Sequence, residues 1–333
     1  MQSRREFLRH VATAGTVGYL GLSPRPVAAE PPPETARLRM VQIPGICIAP
    51  VYVAEQLLRA EGFTELQYVK QNAVAQLYKS LAAGDADINM AYIAPWIIQI
   101  DAGEPIVVLG GVHAGCYELF GTDRVRAIHD LKGKRVAIPA LGSPHHVFLA
   151  SLLAHVGLDP SKDIEWATHP PAEAMRLLHE GKVDAYLGFP PDPQELRARK
   201  VGRVVMSSAV DRPWAQYFCC FVAGNREFVR KHPVATKRAM RAILKAASIC
   251  ALEPERAART LVDGGFARSY EYALQTMKDL PYDRWQTYDA EDTVRFYALR
   301  LHEAGMLKSS PQKLLAQGTD WRFFNALKKE LKG

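Results

Sequence analysis

Residues 81–88 read LAAGDADI, and residues 178–185 read LHEGKVDA. A leucine, a glycine and an aspartate recur in the second copy at the same spacing, 97 residues further along the chain. Each copy follows a helical pattern of apolar residues and leads into an apolar run of strand length. Each glycine suits the C-terminus of a helix, where the backbone turns into a left-handed conformation at little cost. The repeat therefore predicts two similarly built lobes.

Around the repeat, apolar runs of strand length alternate with helical patterns from residue 38 to about residue 208. Such alternation predicts an α/β fold with mainly parallel sheets. The C-terminal third of the chain is almost wholly helical in pattern. We expect a first lobe of residues 38–121 and 218–333, which carries this helical C-terminal extension, and a second lobe of residues 122–217. Two chain crossings would form a hinge between the lobes.

The N-terminus has the order of an export signal: twin arginines at 4–5, an apolar segment at 11–22 and the small residues VAA at 27–29. The apolar segment is 12 residues long, whereas a helix that spans a membrane needs roughly 20. Twin arginines followed closely by Phe-Leu are typical of the twin-arginine route. The sequence therefore predicts a twin-arginine signal peptide at 1–29, a linker at 30–37 and a periplasmic protein. The alternative is a basic amphipathic first helix of a cytosolic protein.

The chain of 333 residues carries a formal net charge of +7. Residues 1–29 contribute four arginines and one glutamate, so the excess positive charge of the remaining chain is small and diffuse. Nucleic-acid binding requires a concentrated basic stripe, and the charge distribution therefore predicts no nucleic-acid partner. The composition, with 48% hydrophobic and 23% charged residues, is that of a globular protein rather than a disordered one.

The five cysteines are unevenly spaced, which excludes a disulfide scaffold. Cys219 and Cys220 are adjacent, and neighbours on a strand face opposite sides, so this pair lacks the convergence that a zinc site needs. The sequence therefore predicts buried thiols, no metal site and no cofactor. It also lacks the motifs of a nucleophile elbow, a zinc-protease helix and a phosphate-binding loop. This absence indicates a binding protein without catalytic residues rather than an enzyme.

Six segments occur in order along the chain: GICIAPVYVA, LAAGDADI, AGEPIVVL, DLKGKRVAIP, VGLDP and GKVDAYLGFPP. Together they resemble the substrate-binding proteins of ABC importers in the nitrate/sulfonate/taurine class, which includes binders of thiamine-pyrimidine precursors. The resemblance covers about residues 38–260. It implies a type II periplasmic-binding-protein fold, capture of a small-molecule ligand between two lobes, and delivery to the permease and ATPase of an inner-membrane importer. We expect the chain to act as a monomer.

In open α/β sheets, small molecules bind beyond the carboxyl ends of strands, and helix N-termini at that edge favour anions. Ser143 has a second predicted role, because a serine before Pro144 suits the N-cap of a helix. The other candidates also have structural alternatives, as core aromatics, turn residues or hydrogen-bonded histidines. The candidate ligand-binding residues are Gly45, Ile46, Cys47, Tyr92, Trp96, His113, Tyr117, Gly142, Ser143, His145, Phe189, Asp192, Trp214 and Tyr217.

These candidates are rich in aromatic side chains and lack an arginine or lysine that would clamp a sulfonate or a phosphate. This composition favours a small organic solute that is flat or weakly anionic, such as a sulfonate, a carboxylate or a pyrimidine-like compound, over inorganic nitrate. Two alternatives use the same scaffold. One is an enzyme similar to the pyrimidine synthases, and the other is a sensor module that docks through its basic C-terminal helices.

Overall fold

The computed structural model describes residues 30–71 and 74–332. At residues 74 and 75 only the backbone is described. The predicted signal peptide at 1–29 lies outside the described residues. Pro33–Gly333 form one compact unit, and the unit before it is described only at residues 30–32.

Strands and helices alternate along most of the described chain. The strands are Arg37–Val41 (β1), Glu65–Val69 (β2), Ile88–Tyr92 (β3), Ile106–Ala114 (β4), Glu118–Gly121 (β5), Lys134–Ile138 (β6), Ile164–Thr168 (β7), Ala185–Gly188 (β8), Arg203–Ser207 (β9) and Phe218–Asn225 (β10). The helices are Ala49–Val53 (α1), Glu55–Ala60 (α2), Val74–Ala83 (α3), Ile93–Asp101 (α4), Pro144–His155 (α5), Pro171–His179 (α6), Asp192–Ala198 (α7), Arg226–Lys231 (α8), Pro233–Leu252 (α9), Pro254–Asp263 (α10), Tyr270–Asp279 (α11), Ala290–Glu303 (α12), Pro311–Gly318 (α13) and Arg322–Glu330 (α14). Short 3-10 turns occupy Ile46–Ile48, Ile128–Leu131, Trp214–Gln216 and Tyr282–Arg284.

Three sheets organise these strands in the described part of the chain. β1 and β2 pair in parallel, and β10 lies antiparallel between β3 and β4. The five-stranded sheet has the order β7-β6-β8-β5-β9, in which β6 is parallel to both neighbours and β5 is antiparallel to both. The expectation of mainly parallel sheets is therefore wrong. No α-helix separates β4 from β5 or β9 from β10, so these connections lack the helical crossover that makes strands parallel.

The chain passes from the three-stranded to the five-stranded sheet between β4 and β5, and it returns between β9 and β10. β5 thus pairs in the five-stranded sheet, although the sequence interpretation assigned its residues to the end of the first lobe. The two passages are hydrogen-bonded to each other. The Ser208 hydroxyl accepts from the amides of Cys116 and Tyr117 at 3.1 and 2.9 Å, and it donates to the Tyr117 carbonyl at 3.0 Å.

The two copies of the sequence repeat make the same hydrogen bonds. The amide of Asp87 donates to the Arg39 carbonyl at 2.9 Å, and its carboxylate accepts from the Arg39 amide at 2.7 Å. Asp184 exchanges the equivalent pair of bonds with Arg135, at 2.8 and 2.9 Å. The glycine three residues before each aspartate has a left-handed φ, of 75° and 68° respectively. Through these hydrogen bonds, the helix–turn–strand unit of the first copy is attached to β1, and that of the second copy is attached to β6.

The longest helix of the described residues is α9, with 20 residues. Its buried positions include Ala235, Ala239, Ala242 and Ala246, spaced by three and four residues as on one face of a helix. α9 packs against α1, α2 and α14. Of the helices in the described range, none combines the length and the apolar character needed to cross a bilayer.

Candidate functional site

A cavity of about 280 Å³ lies where the three-stranded and the five-stranded sheets face each other. Its walls come from the carboxyl ends of β3, β6 and β8, from the segment that follows β1, and from the N-termini of α5 and α6. This is the position that the strand-end rule predicts for a small-molecule site. The lining residues are Ile43, Pro44, Cys47, Ile48, Leu77, Tyr78, Ala91, Tyr92, Cys116, Tyr117, Pro139, Pro144, His145, Pro171, Phe189 and Cys220.

Five of the candidates named from the sequence line this cavity: Cys47, Tyr92, Tyr117, His145 and Phe189. Four of these five are aromatic, and their rings contact one another. The Tyr117 ring centroid lies 5.2 Å from that of Tyr92 and 5.8 Å from that of His145, and the His145 ring lies 4.8 Å from that of Phe189. Contacts of this kind stabilise aromatic pairs beyond their buried area, so the aromatic wall is held together independently of a ligand.

Gly45 and Ile46 border the cavity without lining it. A Cβ atom at Gly45 would lie 2.8 Å from a carbon of the Phe189 ring, so only glycine allows this close approach without a shift of the ring. The amide of Ile46 donates to the Pro190 carbonyl at 3.2 Å. The segment after β1 therefore touches the segment after β8 through its backbone.

The remaining aromatic candidates pack in the core rather than in the cavity wall. Trp96 is 0% exposed and packs edge-on against Tyr78. Trp214 is 2% exposed and contacts the ring of Phe296, on which Tyr217 is stacked at 3.9 Å. None of these three candidates lines the cavity, although Trp96 contacts Tyr78, which does.

Gly142 and Ser143 line a neighbouring cavity of about 220 Å³. The Ser143 hydroxyl accepts from the His146 amide at 3.3 Å, and Pro144 is the first helical residue of α5. The predicted N-cap is therefore confirmed.

Neither Asp192, which is half-buried, nor His113, which is buried, lines the cavity. The hydroxyl of Tyr186 donates to the Asp192 carboxylate, and burial raises the pKa of Asp192 to about 6. The Nδ1 atom of His113 lies 3.0 Å from the Ala114 carbonyl, whereas its Nε2 atom is buried without a hydrogen-bond partner among the described residues.

The cavity wall is electrically neutral. None of the described residues that line it is a lysine, arginine, aspartate or glutamate. Burial lowers the pKa of His145 to about 3, so its ring is uncharged near neutral pH. Both ring nitrogens of His145 and the Tyr92 hydroxyl are buried without hydrogen-bond partners in the described structure. Since buried polar groups without partners are costly, these atoms are suited to hydrogen-bond a polar solute.

Replacing His145 by Gln is expected to change how stability depends on pH. Unfolded His145 takes up a proton below about pH 6.5, but the folded protein does not until about pH 3. This side chain therefore lowers the free energy of unfolding by about 1.4 kcal/mol per pH unit as the pH falls below 6.5. Asp192 acts in the opposite direction between about pH 4 and 6, because its pKa is raised in the folded state.

His145 and Asp192 change the free energy of unfolding in opposite directions as the pH falls. The informative quantity is therefore the difference in the free energy of unfolding between the wild type and His145→Gln at each pH. Urea unfolding at pH 7, 6 and 5 should show that the free energy of unfolding of the wild type, relative to that of His145→Gln, falls by about 1.4 kcal/mol per pH unit below 6.5. A difference that stays constant over this range would contradict a buried, neutral His145.

The strand-end rule missed most of the aliphatic wall. Pro139 and Pro171 follow β6 and β7 and satisfy the same rule, so the sequence did contain a signal for them. Leu77 and Tyr78 lie within α3, and Ala91 lies within β3. No motif distinguishes these three residues from ordinary core residues.

Three cysteine sulfurs converge at the cavity. The Sγ atoms of Cys47, Cys116 and Cys220 all lie within 4.8 Å of one another, and all three residues line the cavity. Cys219 adds a fourth sulfur, 4.0 Å from that of Cys220. The predicted burial of the thiols is confirmed. The expectation that Cys219 and Cys220 face apart with no convergent partner is wrong, because β4, β10 and the turn at Ile46–Ile48 meet at this point.

The sequence profile of the NMT1-like family matches residues 31–262. The taurine-binding periplasmic protein of Escherichia coli K12 is 25% identical over 191 residues, which cover 57% of this chain and 58% of that protein. The nitrate/nitrite binding protein NrtA of Nostoc sp. PCC 7120 is 20% identical over 247 residues, which cover 67% of this chain and 56% of that protein. The chain thus spans little more than half the length of these relatives.

Two solved structures share the fold. The periplasmic nitrate-binding protein NrtA from Synechocystis PCC 6803 superposes with a TM-score of 0.73 at 16% identity, covering 91% of this chain and 90% of that one. The alkanesulfonate-binding protein SsuA from Xanthomonas axonopodis pv. citri, bound to MOPS, has a TM-score of 0.68 at 21% identity, covering 88% of this chain and 100% of that one. The predicted α/β periplasmic-binding-protein fold is therefore confirmed.

Proposed function

The chain belongs to the NMT1-like family, and we propose that it is a periplasmic substrate-binding protein of an ABC importer that captures a small, flat heteroaromatic solute. One observation carries the choice of solute: the cavity between the sheets is walled by aromatic rings, and no charged residue is among the described residues that line it. Relatives named for the binding of taurine and nitrate support the role in transport. Of the solute classes expected from the sequence, the neutral wall favours a pyrimidine-like compound over a sulfonate or a carboxylate.

Each polar group of the wall has a part in this proposal. The faces of Tyr117 and Phe189 pack against the ring of the solute, because large aromatic surfaces suit flat ligands. The Tyr92 hydroxyl and the ring nitrogens of His145 hydrogen-bond its heteroatoms, since they have no other partner among the described residues. A fully charged anion would meet no compensating cation here, and its desolvation would oppose binding.

We further propose the cellular setting. The twin-arginine signal at 1–29 exports the chain to the periplasm as a monomer. Two lobes, one built on the three-stranded sheet with the C-terminal helices and one built on the five-stranded sheet, close about a hinge near the two chain passages. The closed form delivers the solute to the permease and ATPase of an inner-membrane importer, and it turns over no substrate.

Thermal unfolding of the purified protein tests the choice of solute. We expect substituted pyrimidines, supplied at 100 times Kd, to stabilise the protein by about 2.7 kcal/mol. Sulfonates, carboxylates and nitrate at the same concentrations should give no such shift, and mass spectrometry should recover each pyrimidine unchanged. Stabilisation by inorganic anions alone, or conversion of a pyrimidine to product, would overturn the proposal.

A charged cluster outside the cavity is expected to influence closure. Arg197 on α7 pairs with Glu118 on β5 and with Asp279 on α11, and the Gln194 side chain donates to Asp279 at 3.0 Å. These bonds join the five-stranded sheet to the C-terminal helices. Arg197→Ala should shift the equilibrium toward an open form by about 1.4 kcal/mol, and a shift of this size weakens solute binding roughly tenfold.

Calorimetric titration with the best pyrimidine measures this effect. Arg199→Ala is the matched control, because the ion-pair partner of Arg199 among the described residues is Glu195 on the same helix, in an exposed pair, and pairs of that kind contribute little. The idea is refuted if both variants bind as tightly as the wild type.

A further inference from the structure

The geometry of the three cavity cysteines points to a metal site. We propose that Cys47, Cys116 and Cys220 bind one soft d10 metal ion, Cu(I) or Zn(II), through three thiolates. The proposal does not depend on which organic solute the cavity captures. Thiolates are the ligands that select Cu(I) and Zn(II) over hard cations.

The distances between the sulfurs suit a shared ion. A metal–sulfur bond of about 2.3 Å requires sulfurs roughly 3.8–4.0 Å apart in trigonal or tetrahedral sites. The sulfurs of Cys116 and Cys220 are 3.7 Å apart, and all three lie within 4.8 Å of one another. Side-chain adjustments of less than about an ångström therefore complete the geometry.

Three separate segments supply the ligands, which distinguishes the cluster from a local sequence accident. Cys47 lies in the 3-10 turn after β1, Cys116 follows β4, and Cys220 lies on β10. The backbone around them is fixed: the Tyr282 hydroxyl donates to the Cys47 carbonyl at 2.8 Å, and the Cys116 amide donates to the Ser208 hydroxyl at 3.1 Å. A preformed set of ligands lowers the cost of ordering them when an ion binds.

His113 provides a second, independent observation. It is the register partner of Cys220 in the pairing of β4 with β10. Its Nδ1 atom is within hydrogen-bond distance of the Ala114 carbonyl, which can only accept, so Nδ1 carries a proton. Its Nε2 atom is buried without a hydrogen-bond partner in the described part of the chain. A buried imidazole whose other ring N–H donates to a backbone carbonyl has the arrangement that metal-ligating histidines adopt.

A metal ion can reach the three sulfurs, and its binding involves no redox step. All three cysteines line the cavity, which gives an ion a path to the sulfurs. Binding replaces the three thiol protons by three metal–sulfur bonds and releases the protons to solvent, and neither the metal nor the sulfur changes its oxidation state. The apparent affinity should therefore rise with pH.

The test uses the reduced, metal-free full-length protein under anaerobic conditions. Cu(I), held by the chromophoric chelator bicinchoninate, is titrated against the protein, and Zn(II) is titrated in a parallel arm with a zinc indicator. We expect one equivalent of Cu(I) to transfer to the protein, with a new near-ultraviolet absorption from thiolate-to-copper charge transfer. Transfer of one equivalent of Zn(II) instead would support the site and identify its ion as Zn(II).

Single substitutions identify the ligands. Cys116→Ser and Cys220→Ser should each weaken metal binding at least 100-fold, whereas Cys250→Ser should leave it unchanged. Cys250 is a matched control because it is equally buried but lies on α9, outside the cluster. Circular dichroism and thermal unfolding confirm that each variant is folded, and Cys47→Ser replaces any variant that is not.

Three results would overturn the proposal. The first is the absence of one-to-one transfer for both ions, and the second is equal binding by the wild type and the Cys116→Ser and Cys220→Ser variants. The third is a disulfide between Cys116 and Cys220 in the anaerobically purified protein, seen as two fewer titratable thiols after unfolding. None of these results alters the thermal response to pyrimidines, so failure of the metal site and failure of the transport function remain distinguishable.

Discussion

Replacing Phe189 by Ala is expected to weaken binding of the captured pyrimidine by roughly 30- to 2,000-fold, with little loss of stability. The Phe189 ring lines the cavity, lies 4.8 Å from the His145 ring and is edge-on to Tyr117 at 6.1 Å. Burying a phenyl ring against a ligand contributes about 1.5–3 kcal/mol, and aromatic pairing adds about 0.5–1.5 kcal/mol. The combined loss of about 2–4.5 kcal/mol corresponds to that change in Kd.

Calorimetric titration measures this change, and Phe228→Ala is the matched control. Phe228 is half-buried like Phe189, but its ring packs against His232 away from the cavity. We expect the control to bind the pyrimidine with the affinity of the wild type. If Phe189→Ala also does so, the cavity is not the site of capture.

Replacing Trp214 by Ala is expected to lower the free energy of unfolding strongly and to leave the affinity for the pyrimidine unchanged. Trp214 is 2% exposed and lies among aromatic neighbours, 5.3 Å from Phe148 and 5.0 Å from Phe296 between ring centroids. Truncation of a buried tryptophan to alanine costs about 3–5 kcal/mol, because transfer free energy is lost and a cavity remains.

Urea unfolding measures the loss of stability, and titration of the folded protein below the transition measures the affinity. Trp321→Ala is the comparison, because Trp321 is only partly buried and should cost about 1 kcal/mol or less. An affinity loss greater than tenfold without a loss of stability would restore Trp214 as a ligand contact, as the sequence first indicated.

The parts of the fold that could be predicted from sequence are those set by local chemistry. The repeated leucine, glycine and aspartate predicted a helix, a turn and a strand in each copy. Asp87 and Asp184 indeed make equivalent bonds to the strands beside them. The orientation of β5 and β10 could not be predicted, because it depends on which strands become neighbours after the chain passes between the sheets.

The dependence on tertiary contacts also explains which residues of the cavity could be predicted from the sequence. The strand-end rule located Phe189 and His145 because it depends only on where a strand stops. It grouped Trp214 with them although Trp214 packs in the core, because the sequence does not show whether an aromatic residue at such a position faces a cavity or the core. The approach of Cys47 to Cys220 is a purely tertiary event, 173 residues apart in the chain, and no spacing rule could have indicated it.

The hydrogen bond from the Ile46 amide to the Pro190 carbonyl joins the two sides of the cavity through main-chain atoms alone. Its strength does not depend on the identity of the side chain at either position, provided that residue 46 keeps its amide proton. Side chains of the wall can therefore be exchanged for others without removing this contact. Gly45, which must stay small beneath Phe189, is the position where a larger side chain would disturb both the main-chain contact and the aromatic wall.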